Sequence, residues 1–218
     1  MIKNNIKKLI ISSVVILLPM LVGVLLWDKL PEELPLHWNV SGEVDDYGSR
    51  EFVVFGMPFI MLAVHFLAVF VTALDPKNKN QNKKPIALTL WLVPFLSVFL
   101  SLLTYGFAIG LEFKVEMITF VILGVFMTVL GNYMPKVKQN YTLGIKVVWA
   151  LDNEENWNAT HRLAGKLWTV GGLLLVLCAF LPSPYNFCAM IVITLAMTVI
   201  PVVYSYLYYK KHTENKEK

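Results

Sequence analysis

The sequence predicts an all-α, polytopic membrane protein with six transmembrane helices and both termini in the cytoplasm. Three observations lead there. Of the 218 residues, 56% are apolar and 16% are charged, against roughly a quarter charged in ordinary soluble domains. The apolar residues gather in six long runs, each near the ~20 residues a helix needs to cross the hydrocarbon layer. Finally, sixteen of the 19 Lys and Arg residues lie in the N-terminus, the second and fourth connections and the C-terminal tail, and only Lys29, Arg50 and Lys114 lie elsewhere. Positive charge marks the cytoplasmic side, so that partition orients all six spans at once. The net charge of +4 therefore reports loop sidedness and not nucleic-acid binding; no direct contact with nucleic acid is expected. An unpaired backbone amide is too costly in lipid, and the alternation of barrel strands is absent, so the runs must be helices.

Residues 1–74 form an N-terminal helical hairpin. Lys3, Lys7 and Lys8 precede the first run, about Leu9 to Trp27. It is too long for a signal-peptide core and lacks a small-x-small cleavage site, so it reads as a retained signal anchor. The loop 28–51 is acidic and rich in turn formers, with a short strand or hairpin expected around Leu36 to Val44. A second run spans about Phe52 to Leu74. Residues 75–134 hold the lysine-rich turn DPKNKNQNKK, a third run (about Ile86 to Ile109) and a fourth (about Met117 to Tyr133). Ser97 with Ser101, and Gly106 with Gly110, have the small-xxx-small spacing that lets helices approach closely. Residues 135–166 make a basic, amphipathic cytoplasmic segment. Residues 167–218 hold a fifth run (about Leu167 to Leu181), a sixth (about Phe187 to Tyr208) and a tail with Lys210, Lys211, Lys216 and Lys218. Pro19, Pro58, Pro94 and Pro201 fall inside spans, where each removes a backbone hydrogen bond.

The residues that membrane packing does not require are concentrated between Gly131 and Gly172. Pro135 ends the fourth helix, Gly144 permits a bend, and Lys136, Lys138 and Lys146 suit the anionic inner leaflet. Asp152 with Glu155 has capping-box spacing. Beyond it Trp157, His161, Ala164 and Trp168 share one helical face. That face serves either a surface-anchored connector or a docking platform for a cytoplasmic partner. In the outer loop, His37 and Trp38 either dock an extracellular peptide or place Trp38 at the lipid interface. His65 is the one titratable residue deep in a span, and such a residue is a functional suspect. A structural role, a neutral imidazole bonded to a neighbouring helix, is the favoured reading. Cys178 and Cys188 lack zinc-site spacing and are expected as unpaired thiols. No metal site, phosphate loop or nucleophile elbow occurs, so neither a cofactor nor enzymatic activity is expected.

Two stretches resemble a known family. GNYMPKVKQNYTLGIKVVWALDNEENWNATHRLAGKLW resembles the signature of the SdpI family, membrane proteins that give immunity to a secreted sporulation-delaying toxin peptide. LPLHWNVSGEVDDYGS is similar to a small N-terminal domain of uncharacterised function in longer members. Arg50 stands where that domain usually has lysine, and Val147-Val148 where many members have Thr-Pro. The resemblance implies a bacterial plasma-membrane protein whose partners are membrane lipid, a peptide toxin and a cytoplasmic repressor held at the membrane. It places Asn132, Pro135, Asn140, Gly144, Trp149, Trp157, His161 and Gly165 in an inner partner-binding platform. His37 and Trp38 become the candidate toxin-sensing residues outside. A small transporter or exporter, and a structural envelope protein, are the competing readings.

Overall fold

The computed structural model describes residues 2–214, without the side chains of 2–4, 79, 80, 213 and 214. The tail lysines Lys216 and Lys218 lie outside the described residues. The chain divides into two compact units, residues 1–74 with 86–115, and residues 75–85 with 116–218.

The first unit contains α1 (Ile2–Leu25), strands β1 (Glu33–Trp38) and β2 (Val44–Ser49), α2 (Met57–Leu74) and α3 (Lys83–Ala108). The strands pair antiparallel with an irregularity around His37, giving the hairpin expected in this loop within a fold that is otherwise helical. Its strands begin earlier and end later than Leu36 to Val44, which holds half of β1 and the turn. Leu30, Leu34, Val53, Val54 and Tyr105 form a buried core at this end. Arg50 pins the hairpin by donating from Nη1 to the carbonyls of Trp27 (3.1 Å) and Leu30 (3.0 Å). Its guanidinium also stacks 4.3 Å above the Trp27 ring. A lysine at this position would supply the charge but not the planar stack.

A widened π-helical turn, Phe52–Gly56, precedes α2. It sits directly before Pro58, which lacks the N–H that would bond the Val54 carbonyl and whose ring crowds that oxygen. The α3 helix ends on Gly110 at φ +83°. There Leu111 N–H donates to the Gly106 carbonyl at 2.9 Å and Gly110 N–H to that of Phe107 at 3.0 Å. This is a Schellman termination, so the Gly106–Gly110 spacing ends a helix and does not form the packing face expected of it. Ser97 does pack, its Oγ donating to the Ile16 carbonyl of α1 at 3.1 Å.

The second unit contains α4 (Val115–Tyr133), a one-turn α5 (Val148–Leu151), α6 (Glu154–Cys178) and α7 (Tyr185–Glu214). Paired glycines hold α4 against α6. A Cβ added at Gly124 would lie 2.5 Å from the Gly172 carbonyl oxygen, and the reverse holds. Gly131 and Gly165 face each other in the same way one level along, at 2.8 and 2.9 Å. Only glycine lets two backbones come this close. Between α6 and α7, Trp168 Nε1–H donates to the Met197 carbonyl at 2.9 Å. That carbonyl would normally take the N–H of residue 201, which is proline. The indole thus satisfies the acceptor that Pro201 frees.

Five helices among the described residues are long and apolar enough to cross a membrane: Asn5–Leu25, Phe52–Leu74, Lys83–Ala108, Val115–Lys136 and Tyr185–His212. The run expected as a fifth span is not among them. It forms the apolar end of α6, a 25-residue helix whose first half carries Glu154, Glu155, Arg162 and Lys166. Phe59, Leu67, Leu102, Leu177 and Val192 are each more than half exposed, an apolar surface that suits lipid and not water. The protein is a multi-pass membrane protein built mainly of helices. Cys178 and Cys188 are free thiols.

Candidate functional site

The segment from Val137 to Val147 forms neither helix nor strand, so its backbone polar groups need side-chain partners. A 3-10 turn, Met134–Lys136, follows α4, and the Pro135 ring lies against Gly165, where a Cβ would come within 2.8 Å of it. Beyond it the chain turns around Asn140, which is fully buried. Asn140 Oδ1 accepts from Thr142 N–H at 2.8 Å and Leu143 N–H at 2.6 Å. Its Nδ2 donates to the carbonyls of Lys138 at 2.8 Å and Leu143 at 3.1 Å. One amide side chain therefore closes the loop with both its functions, which no isostere reproduces.

At Gly144 the backbone takes φ +96°, and a Cβ would collide with His161 Nε2. His161 Nε2 accepts the Ile145 N–H at 3.1 Å, so Nδ1 carries the proton and donates to the Trp157 carbonyl at 2.8 Å. Burial pushes its pKa down to about 4, partly opposed by the bond to Trp157. The imidazole is neutral in this role and reads a backbone amide. Trp157 is also fully buried; its Nε1–H donates to the Val137 carbonyl at 2.8 Å. Its ring stacks on His161 with centroids 4.0 Å apart. Val137, Ala150 and Trp157 form a small core, with Leu143, Val147 and Leu151 packed around it. Trp157 and His161 are thus covered by the chain's own loop.

The cap of α6 differs from the expected one. Asn153 is the N-cap, its Oδ1 accepting from Asn156 N–H at 2.8 Å, and Asp152 is exposed. Asn156 is a buried junction to α7: its Nδ2 donates to the Ser205 carbonyl at 3.0 Å, and its Oδ1 accepts from Ser205 Oγ at 2.8 Å and Thr160 Oγ1 at 3.0 Å. Trp149 meets Tyr206 of α7 edge-on, with centroids 5.4 Å apart.

The lysine-rich turn after α2 does more than carry charge. Asp75 accepts from Lys77 N–H at 2.9 Å through Oδ1, and through Oδ2 from Tyr141 N–H at 2.7 Å and Thr142 Oγ1 at 3.0 Å. Gln81 bonds Lys138 as a strand would, accepting its N–H and donating to its carbonyl, both at 3.0 Å. Gln139 Nε2 donates to the carbonyls of Ala150 and Leu151 at 3.0 and 2.9 Å, while its Oε1 accepts from Lys77 Nζ at 2.9 Å. Residues 75–82 and 136–142 are therefore clasped together. The one clue in the sequence was the Asn and Gln content between the lysines, since these amides can mimic backbone partners.

Of the eight inner candidates, Asn140, Trp157, His161 and Gly165 are buried, Trp149 is half-buried, and Asn132, Pro135 and Gly144 are exposed. The structure brings Gly144, Trp157 and His161 together, and Pro135 with Gly165. On the exposed hairpin, His37 Nδ1 lies 2.6 Å from Asp45 Oδ1. Trp38 instead turns to Phe107, edge-on at 6.1 Å. In the first unit, Ser12 Oγ donates to the Leu9 carbonyl at 2.9 Å and so accepts from His65 Nε2 at 2.9 Å. His65 is bonded to a neighbouring helix, with Nδ1 buried and unpartnered. No cluster of metal-ligating side chains forms among the described residues.

Comparison with known proteins accounts for both stretches. Residues 136–205 match the SdpI/YfhL protein family, and residues 14–62 match a domain of unknown function, DUF1648. The chain is 30% identical over 205 residues to the immunity protein SdpI of Bacillus subtilis (strain 168), covering 94% of this chain and 97% of that one. No solved structure matches. The matched regions contain the loop around Asn140 with its Trp157–His161 core and the Arg50-pinned hairpin, and on this near full-length relationship the chain belongs to the SdpI family.

Proposed function

We propose that the protein is an immunity protein of the bacterial plasma membrane, protecting the cell from a secreted antimicrobial peptide toxin. The near full-length relationship to an immunity protein carries this reading. In it, the chain has six spans and both termini are cytoplasmic. The packing of α6 supports the sixth span: it runs antiparallel to α4 through Gly124–Gly172 and Gly131–Gly165 and to α7 through Trp168–Met197 and Asn156–Ser205. A helix enclosed in this way shares the bilayer with its neighbours. On the charge partition, residues 135–166 then lie inside the cell in this reading.

In the same reading the inner segment captures a cytoplasmic repressor when toxin is present. The buried Asn140, Trp157, His161 and Gly165 hold its shape, and the exposed Asn132, Pro135 and Gly144, with Lys138, Tyr141 and Lys146 beside them, form the face a partner meets. Toxin changes that face only if it binds two conformations with different affinity. The transporter alternative has few free polar groups to work with, because Ser12, His65, Ser97 and Thr104 already bond to neighbouring groups. The test is growth protection. Cells expressing the protein should survive a secreted toxin peptide that kills cells carrying an empty vector; equal killing would reject the immunity reading. Partner capture is tested separately by pull-down of cytoplasmic protein with and without toxin.

A further inference from the structure

A groove of about 770 Å³ opens on the second unit where α4 ends and α6 becomes apolar. Asn132 and Pro135 form one wall, Tyr204 of α7 contributes another, and Arg162, Lys166 and Val170 line it at i, i+4 and i+8 of α6. No acidic residue lines the groove among the described residues, and neither Arg162 nor Lys166 forms an ion pair among them. Both cations are exposed. At its base Gly131 and Gly165 bring the backbones of α4 and α6 into contact.

We propose that this groove holds an anionic phospholipid, its phosphate between Arg162 and Lys166 and the start of an acyl chain along Val170. The order of chemistry selects that occupant. Two unpaired cations give way to an apolar wall one helical turn further, ~6 Å along the axis, which is the order of charge and hydrocarbon in a lipid. An acidic peptide would need cationic partners spread along its length, and this groove has them at one end only. Clusters of basic side chains between helices at the membrane boundary are suited to lipid head groups. The inference goes beyond the immunity reading and requires only that α6 enter the bilayer beyond Lys166.

Native mass spectrometry of the full chain released from vesicles of equal phosphatidylglycerol and phosphatidylcholine tests it. The expected result is one retained phosphatidylglycerol in preference to phosphatidylcholine. R162Q/K166Q should lower that preference on the order of tenfold or more, since each surface cation contributes a few-fold. R162K should retain it, and so should K7Q/K8Q, which removes two exposed lysines outside the groove. Soluble glycerophosphoglycerol should not displace the lipid, because it lacks the acyl chain. No preference for the anionic lipid, equal loss in both double variants, or displacement by the soluble head group would each overturn the proposal. So would capture of an acidic peptide by the groove with lipid occupancy indifferent to R162Q/K166Q.

Discussion

Asn132 and Asn140 belong to the same signature, yet the structure assigns them different work. Asn140 makes four hydrogen bonds to the backbone of Lys138, Thr142 and Leu143 from a fully buried position, whereas Asn132 is exposed. Replacing Asn140 by Ala deletes all four bonds. At about 1 kcal/mol each the loss is about 4 kcal/mol. Asp75 still holds Tyr141 and Thr142, so part of the loop survives and the expected local cost is about 2–4 kcal/mol. Asn140→Asp should be no better, because it keeps the acceptor, loses both donors and buries a charge facing two carbonyls. Hydrogen exchange of the Thr142 and Leu143 amides reads the effect directly. A cost of about 3 kcal/mol corresponds to roughly a hundredfold faster exchange if local opening governs it. Asn132→Ala should leave both amides protected. Unchanged protection in Asn140→Ala, or equal loss in Asn132→Ala, would refute the claim that Asn140 builds the loop.

Three further outcomes are expected. With the His161 pKa lowered from 6.5 to about 4, the unfolded segment binds more protons than the folded one between those values. Stability of the inner loop should therefore fall as pH drops through that window, by a total of about 3 kcal/mol, read as loss of Ile145 amide protection. Trp168→Phe should cost about 1–3 kcal/mol by leaving the Met197 carbonyl unsatisfied. In a Pro201→Ala background it should cost less, because residue 201 regains an N–H for that carbonyl; equal costs in a double-mutant cycle would reject the pairing. In the growth assay, His37→Ala and Trp38→Ala should weaken protection if the outer hairpin takes part in toxin sensing, and full protection by both would remove it from the mechanism.

Much of the helical framework was legible because lipid imposes a simple rule, a long apolar run with every amide paired internally. The runs expected at Phe52–Leu74 and Ile86–Ile109 appear as helices with ends displaced by a few residues. The run at 167–181 was harder, since α6 joins polar and apolar halves in one uninterrupted helix. The spacing of Trp157, His161, Ala164 and Trp168 suggested one continuous face, and the structure divides it, with Trp157 and His161 bonded to the preceding loop and Trp168 to Met197 of α7. Periodicity cannot say what covers a face. Adjacent Asp152 and Asn153 are both good caps, and only the backbone geometry selects Asn153. The Asp75–Asn82 clasp was hidden because its residues are 54 to 67 positions from their partners in the chain, and amide side chains carry no periodic signal. The pairing of Gly124 with Gly172 and of Gly131 with Gly165 was hidden for the same reason: each glycine pair is recognisable only once two distant helices are set side by side.

The whole proposal depends on the clasped loop facing the cell interior while the hairpin faces the medium. Membrane-impermeant maleimide labelling of intact cells tests this most directly, using single cysteines at Ser41 and Tyr141 with Cys178→Ala and Cys188→Ser to remove background. Ser41→Cys should be labelled from outside, and Tyr141→Cys only after the membrane is permeabilised. Labelling of Tyr141→Cys in intact cells would contradict the orientation and, with it, a cytoplasmic partner for this loop.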